Sequence, residues 1–291
     1  MSQIVECPQC QWQPDGQIYW QCSCGHSWNT FLTRGKCPRC GKHWKETYCP
    51  GCGKTSSHDK WYRDPNTEPD YPKEFAHLRI KKQNLESRLI ALGITTSRVS
   101  YLPYLDHKKE TFRTPFEAGC RMLILASLHH LSFMPDDRYA IITWLKDETL
   151  WDHVSPNEKD FLLDLAPKEE AVAHMSWKFE SALALGWCLN IVSHLPPINA
   201  QATDDVSEKF LNSVPLCEPT GDFLENLKFR SIEDIYEENL LNEMVTAWLR
   251  DAMISGRSNT TDIDANVSWE RHHVLNWLRS DADWDDVDTS T

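Results

Sequence analysis

Beyond residue 73, apolar positions recur with the period of a helix. Residues 73–92 bring Phe75, Leu78, Leu85, Leu89 and Leu92 onto one stripe, and Gly93 follows as a stop. Thr114-Pro-Phe-Glu117 is a capping box with proline in the first turn, predicting a helix that runs through about Ser132. Ser155-Pro-Asn-Glu158 repeats the device. Ser231-Ile-Glu-Asp234 opens a run to about Ser255, with Gly256 behind it. Residues 141–150 and 168–194 keep the same period. The stretch 195–221, rich in Pro, Gly and Asp, predicts a long loop holding a short helix near 206–211. Alternation over a full strand length is nearly absent. Residues 73–291 are therefore expected to form an all-α domain of roughly seven or eight helices packed around Trp and Leu.

Before residue 73 this pattern breaks. Residues 56–72 contain Asp64-Pro65, Glu68-Pro69 and Tyr71-Pro72 with few apolar positions, which predicts a linker. Residues 1–55 follow neither period and are punctuated by paired cysteines: Cys7/Cys10, Cys22/Cys24, Cys37/Cys40 and Cys49/Cys52. Three pairs are C-x-x-C and one is C-x-C. Such spacing lets two sulfurs converge on one tetrahedral ion, with backbone N–H groups turned toward the thiolates. Gly25, Gly41 and Gly53 each follow the second cysteine of a pair, where a tight knuckle favours positive φ. Cys37-Pro-Arg-Cys-Gly-Lys42 recurs as Cys49-Pro-Gly-Cys-Gly-Lys54, and Cys24-Gly-His-Ser-Trp28 is echoed by Cys40-Gly-Lys-His-Trp44. The predicted fold is mainly α, with N-terminal tandem zinc ribbons (1–55), a linker (56–72) and the helical domain (73–291).

The eight sulfurs are expected to hold two structural Zn²⁺ ions. Sequential sharing is expected, the first pair with the second and the third with the fourth; a cross-braced arrangement is also compatible with the spacing. Four thiolates close the tetrahedron and leave no position for water or substrate. His26 and His43 lie beside the knuckles and are expected outside the coordination sphere. The competing readings are weaker. Disulfides belong to exported proteins, and residues 1–10 lack the basic stretch and apolar run of a secretory signal. Redox C-x-x-C motifs open a helix after a strand, and four in one short region do not fit that role. A soluble protein in the reducing cytoplasm is expected, with no membrane span.

Charge refines the choice of partner. Residues 1–60 hold seven Lys/Arg against four Asp/Glu, whereas the whole chain carries a net charge of −13. An acidic body repels phosphates, so nucleic-acid binding is disfavoured outside a local strip of Arg34, Lys36, Arg39, Lys42 and Lys45. The chain has 13 tryptophans, many of them early. Trp12, Trp20, Trp28, Phe31, Trp44 and Tyr48 cover a region too small to fold without metal. Docking of these rings onto the helical body is the economical explanation; a partner surface is the sharper one.

Several stretches together resemble an uncharacterised, mostly bacterial family, the domain of unknown function (DUF) 4272. They are Arg88-Leu-Ile-Ala-Leu-Gly93 with Leu102-Pro103, residues 114–120, Trp144-Leu145, Leu150-Trp-Asp-His-Val-Ser-Pro-Asn-Glu158 and Ser176-Trp-Lys-Phe-Glu-Ser-Ala-Leu-Ala-Leu-Gly-Trp187. The C-terminus adds Glu270-Arg-His-His-Val-Leu-Asn-Trp-Leu278 and Trp284-Asp-Asp-Val-Asp-Thr289. The resemblance covers about residues 80–291. It implies an all-α fold and no activity.

One constellation in the body could carry chemistry. Trp177, Glu180, Ala184, Trp187 and Ile191 share a helical stripe, which sets Glu180 on an apolar face. If Glu180 meets Arg271, a buried ion pair results, and His272 or His273 would complete an acid–base cluster. Against this, a Glu–Arg pair between packed helices is commonly a paired core charge. The acidic tail (Asp281, Asp283, Asp285, Asp286, Asp288) lacks a calcium-hand pattern and is expected to be solvated or to cap basic groups. Cys120 and Cys188 are expected to be small core residues. The expected function is a zinc-binding, non-enzymatic interaction or adaptor protein whose ribbons present aromatic and basic residues to a protein partner. The alternative is an enzyme using Glu180, Arg271 and His272, and a weaker one is nucleic-acid binding through the ribbons. The oligomeric state is left open.

Overall fold

The computed structural model describes residues 3–64, 76–95, 97, 99 and 102–290. The chain divides into two compact units, Met1–Arg88 with Thr96–Lys108, and Leu89–Thr95 with Lys109–Thr291.

Among the described residues the first unit carries three two-stranded antiparallel sheets. Strand β1 (Ile4–Val5) pairs with β6 (Tyr62–Arg63), β2 (Trp20–Gln21) with β3 (Ser27–Trp28), and β4 (Glu46–Tyr48) with β5 (Thr55–Ser57). The cysteine knuckles repeat one hydrogen-bond scheme. Cys7 N–H donates to Trp12 O, Cys37 to Lys42 O and Cys49 to Lys54 O, each at 2.9 Å. Gln11, Gly41 and Gly53 then donate back to the first cysteine's carbonyl. The C-x-C knuckle does the same one residue shorter, Cys22 to His26 O and Gly25 to Cys22 O. All four closing residues have positive φ, three of them glycine and the fourth Gln11 at 64°. The sequence echo is thus a repeated backbone turn.

Residues 56–63 of the expected linker carry regular structure. Residues Thr55–Arg63 carry β5, a 3-10 turn over His58–Trp61 and β6, the strand that closes the unit back onto β1. Trp61 is fully buried against Cys7, Cys10 and Cys49. Its ring centroid lies 4.9 Å from Phe31, which stacks on buried His58. His58 Nδ1 bonds Thr47 Oγ1 at 2.7 Å and its Nε2 bonds the Tyr62 hydroxyl at 2.9 Å. These residues finish the ribbon's core. The remaining expected linker residues, 65–72, lie outside the described residues, as do residues 73–75 of the predicted first helix, which is seen as α1 (Ala76–Ala91).

The second unit is helical. It contains α2 (Pro115–Phe133), α3 (Arg138–Asp147), α4 (Pro156–Leu163), α5 (Glu169–Cys188), α6 (Asp204–Leu211), α7 (Gly221–Asn226), α8 (Ile232–Ile254) and α9 (Ala265–Leu278). Both predicted capping boxes are present, on Thr114–Glu117 and Ser155–Glu158. Helix α2 packs along α5, α5 along α9, and α9 along α8. Gly186 in α5 marks a close crossing, because a Cβ there would meet Phe210 Cε2 at 2.5 Å. Helix α5 stops at Cys188 rather than near His194. Asn190 turns left-handed (φ 61°), Ile191 N–H bonds back to Gly186 O, and Arg230 Nε takes the Trp187 carbonyl. The short α7 begins where a loop was expected to end. No helix among the described residues is long and apolar enough to cross a membrane.

Candidate metal centres

The eight ribbon sulfurs gather into two groups of four, Cys7/Cys10/Cys49/Cys52 and Cys22/Cys24/Cys37/Cys40. The arrangement is nested: the outer pairs meet each other and the inner pairs meet each other. This corrects the expected sequential sharing and is not cross-braced either. The physical reason is long-range. Pairing β1 with β6 brings the two ends of the ribbon together, and with them the first and last knuckles, while the β2–β3 hairpin presents Cys22 and Cys24 to the third knuckle. Local spacing carries no record of those pairings.

The geometry fits a single ion in each group. Sulfur separations are 3.9 Å for Cys7–Cys52, 3.7 Å for Cys10–Cys49, 3.6 Å for Cys22–Cys40 and 3.7 Å for Cys24–Cys37. A tetrahedron with metal–sulfur bonds of about 2.3 Å has edges of about 3.8 Å. A disulfide would need about 2.05 Å, and all eleven cysteines are free thiols. Amide N–H of Gln9 reaches Cys7 Sγ at 3.4 Å, and Trp44 Nε1 reaches Cys22 Sγ at the same distance. Hydrogen bonding with the Cys10 and Cys49 thiols holds Cys7 far below the usual thiol range, whereas contact with the Cys49 and Cys7 sulfurs pushes Cys10 far above it. Four crowded sulfurs cannot all ionise without a cation among them. His26 stacks on Trp28, and His43 bonds the Arg34 carbonyl at 3.0 Å; neither joins a sulfur group.

The candidate acid–base residues of the helical unit do not assemble into one site. Glu180 and Arg271 do meet, at 3.1 Å, both buried. Glu180 Oε1 also accepts from Ala202 N–H at 2.7 Å, and Arg271 donates to Pro196 O at 3.0 Å. Both carboxylate oxygens are engaged, one with Arg271 of α9 and one with the segment between α5 and α6. His272 faces elsewhere: its Nε2 accepts from Asn276, and Arg250, Arg279 and Asp288 are the charges around it. His273 stacks on Trp269 and meets the Trp284 ring edge-on at 4.4 Å.

Two further buried ion pairs were not legible in advance. Lys178 meets Glu270 at 2.7 Å, where Ser181 Oγ also donates, and Arg121 donates to both oxygens of Glu158 at 2.8 and 2.7 Å. Trp284 packs under the Arg121 guanidinium at 4.7 Å. Asp285 then accepts from Ser155 Oγ at 2.8 Å and Asn157 N–H at 3.0 Å, capping α4. The acidic ending is a structural clasp at this position. Cys120 and Cys188 are buried, and burial raises both thiols.

The family model described as a domain of unknown function (DUF4272) matches residues 81–287. The chain belongs to the DUF4272 family. No curated protein and no solved structure matches it. In this DUF4272 member four of the stretches that carry the resemblance contribute Glu158, Lys178, His273 and Trp284 to one polar region, with Glu270 paired to Lys178. A cavity of 190 Å³ opens there, lined by Glu158, His174, Lys178, His273 and Trp284. In this region Glu158 pairs with Arg121 and Lys178 with Glu270.

Proposed function

We propose that this DUF4272 protein is a zinc-binding, non-enzymatic interaction protein whose ribbon unit engages a protein partner. The observation that carries the reading is the closed character of both sulfur groups. Each offers four thiolates at tetrahedral spacing, so a bound ion would have no free position for substrate. Zinc suits such a donor set and adds no redox chemistry; iron is the other ion that takes it. Each zinc stabilises the ribbon by holding strands too short to fold alone. Eight reduced thiols call for a reducing compartment, and we assign the cytoplasm. In the helical unit Glu180 has no free oxygen to act as a base, which speaks against the enzyme reading.

The ribbon surface supports a binding role. Arg34, Lys36, Arg39, Lys42 and Lys45 are exposed, together with Ile18, Tyr19, Leu32 and Tyr48. The test has two arms. Elemental analysis of the purified full chain is expected to give two zinc ions and no iron. Affinity capture with the zinc-loaded chain is expected to recover a partner that a Cys24→Ser/Cys40→Ser variant loses. Iron in place of zinc, or capture that survives loss of the ribbon's metal, would overturn the reading.

A further inference from the structure

The ribbon unit contains a cavity of 370 Å³ walled by the aromatic residues Trp20, Trp28, Trp44, Tyr19 and Tyr48, with Glu46, Gln21 and three threonines completing the lining. Its walls come from both hairpins. Trp20 and Trp28 are partners across the β2–β3 ladder, and Tyr48 stands on β4. The Trp20 indole N–H donates to Tyr48 O at 2.9 Å and ties the hairpins together.

The indole donors of this cavity and the Tyr19 hydroxyl are already engaged. Trp20 N–H is held by Tyr48, Trp28 N–H by Thr33 Oγ1 at 2.9 Å, Trp44 N–H by Cys22 Sγ at 3.4 Å and the Tyr19 hydroxyl by Asp15 at 2.6 Å. The rings therefore offer π faces rather than hydrogen-bond donors. Among the lining residues the only charged group is the exposed carboxylate of Glu46; no lysine or arginine lines the cavity. π faces with a carboxylate at the rim attract a cation and repel a phosphate. The chain itself illustrates the preference: the Lys42 ammonium sits 4.2 Å from the Trp44 ring centroid.

We propose that this cavity binds a methylated lysine side chain of the protein partner. An unmodified ammonium is strongly hydrated, and Glu46 is the one charged acceptor the lining offers it; those of Gln21, Thr30, Thr47 and Thr55 are neutral. Methylation lowers that hydration and spreads the charge over groups that fill an aromatic cage. The volume also admits part of the lysine stem. The proposal rests on the interaction reading above and names the chemistry of the contact.

The experiment titrates the zinc-loaded full chain, followed by tryptophan fluorescence, with four probes. They are a short Gly/Ser-flanked peptide carrying trimethyl-lysine, the same peptide with unmodified lysine, the same peptide with the neutral tert-butyl isostere, and a single-stranded oligonucleotide. The methylated peptide is expected to bind about tenfold more tightly than either other peptide, the size of one desolvated cation–π contact. Tyr48→Ser and Trp20→Ala should remove that preference and Glu46→Gln should weaken it several-fold, each variant retaining its zinc as evidence of folding. Equal binding of the neutral isostere, preference for unmodified lysine, no response to any peptide, or saturable binding of the oligonucleotide alone would overturn the proposal. If Tyr48→Ser and Glu46→Gln leave partner capture intact while no peptide binds, the cavity assignment falls and the interaction reading stands. If zinc-dependent capture fails as well, both fall.

Discussion

Substituting Cys10 and Cys49 together tests the nested arrangement against its rivals. Their sulfurs are 3.7 Å apart, so both changes strike one ion. The Cys22/Cys24/Cys37/Cys40 group keeps all four thiolates. A structural zinc site of four ligands is worth about 10–16 kcal/mol at neutral pH, and losing two thiolates leaves too little to compete with a strong chelator. Cys10→Ser/Cys49→Ser should therefore retain about one zinc ion per chain after chelator challenge. Sequential or cross-braced sharing would damage both ions and leave almost none. The companion variant Cys10→Ser/Cys22→Ser reverses the outcomes for nested against sequential sharing, because nesting assigns these residues to different ions and sequential sharing to one. Losing the outer ion should also expose Trp61, which packs on Cys7, Cys10 and Cys49, and shift its fluorescence to the red. The two sites differ in closure cost. The outer contact spans 39 residues and the inner one 13, a difference of about 1 kcal/mol in loop entropy that shrinks to about 0.6 kcal/mol once the inner ion has shortened the loop. The inner site should therefore fill first during titration of the apo protein. Retention of no zinc by Cys10→Ser/Cys49→Ser, or of one ion by Cys10→Ser/Cys22→Ser, would refute the reasoning.

Other expectations follow from the same contacts. With a colorimetric chelator, zinc release should be biphasic, the inner ion leaving first because Cys40 is exposed while Cys7, Cys10 and Cys49 are fully buried; a single phase would contradict this. Arg121→Ala strands the buried Glu158 carboxylate and should cost about 3–5 kcal/mol in urea unfolding, whereas Arg121→Met/Glu158→Leu should recover much of the loss. Gly186→Ala drives a methyl into Phe210 and should cost about 1–3 kcal/mol, partly rescued by Phe210→Leu. Burial lowers His272 to about 4 and His273 to about 3 from an ordinary 6.5, so both stay neutral in the fold while the unfolded chain takes up protons. Their contribution is complete above pH 6.5 and is lost as pH falls toward the folded values, at up to about 1.4 kcal/mol per pH unit for each. His273→Phe, which can keep the stacking on Trp269, should remove one histidine's share of that slope in urea melts run from neutral to acidic pH.

The parts of this molecule that were legible in its sequence are those encoded by near neighbours. A C-x-x-C knuckle is closed by hydrogen bonds within six residues, and the capping boxes at Thr114 and Ser155 by bonds within four, so the motif and the turn are the same object. Partnership between knuckles is a property of β1–β6 pairing across the whole ribbon, and strands of two residues leave no alternation to read. The same limit explains why residues 56–63 read as part of a linker. Ser56 and Trp61 are buried by contacts with distant residues, while their own neighbourhood is polar and Pro65, Pro69 and Pro72 follow closely.

The acid–base cluster shows the complementary error. Glu180 was set on an apolar stripe by periodicity, and its meeting with Arg271 followed from two helices needing to satisfy one buried charge each. Adding His272 and His273 treated adjacency in sequence as adjacency in space. Successive residues on a helix point about 100° apart, so four consecutive buried residues of α9 must face different surroundings. Glu270 turns to Lys178, Arg271 to Glu180, His272 to Asn276 and His273 to the Trp269 and Trp284 rings. A helix buried on every side can present ionisable groups in a row and still bring no two of them to one substrate. In α9 Glu270, Arg271, His272 and His273 each turn to a different neighbour, so their adjacency in sequence does not gather them at one point.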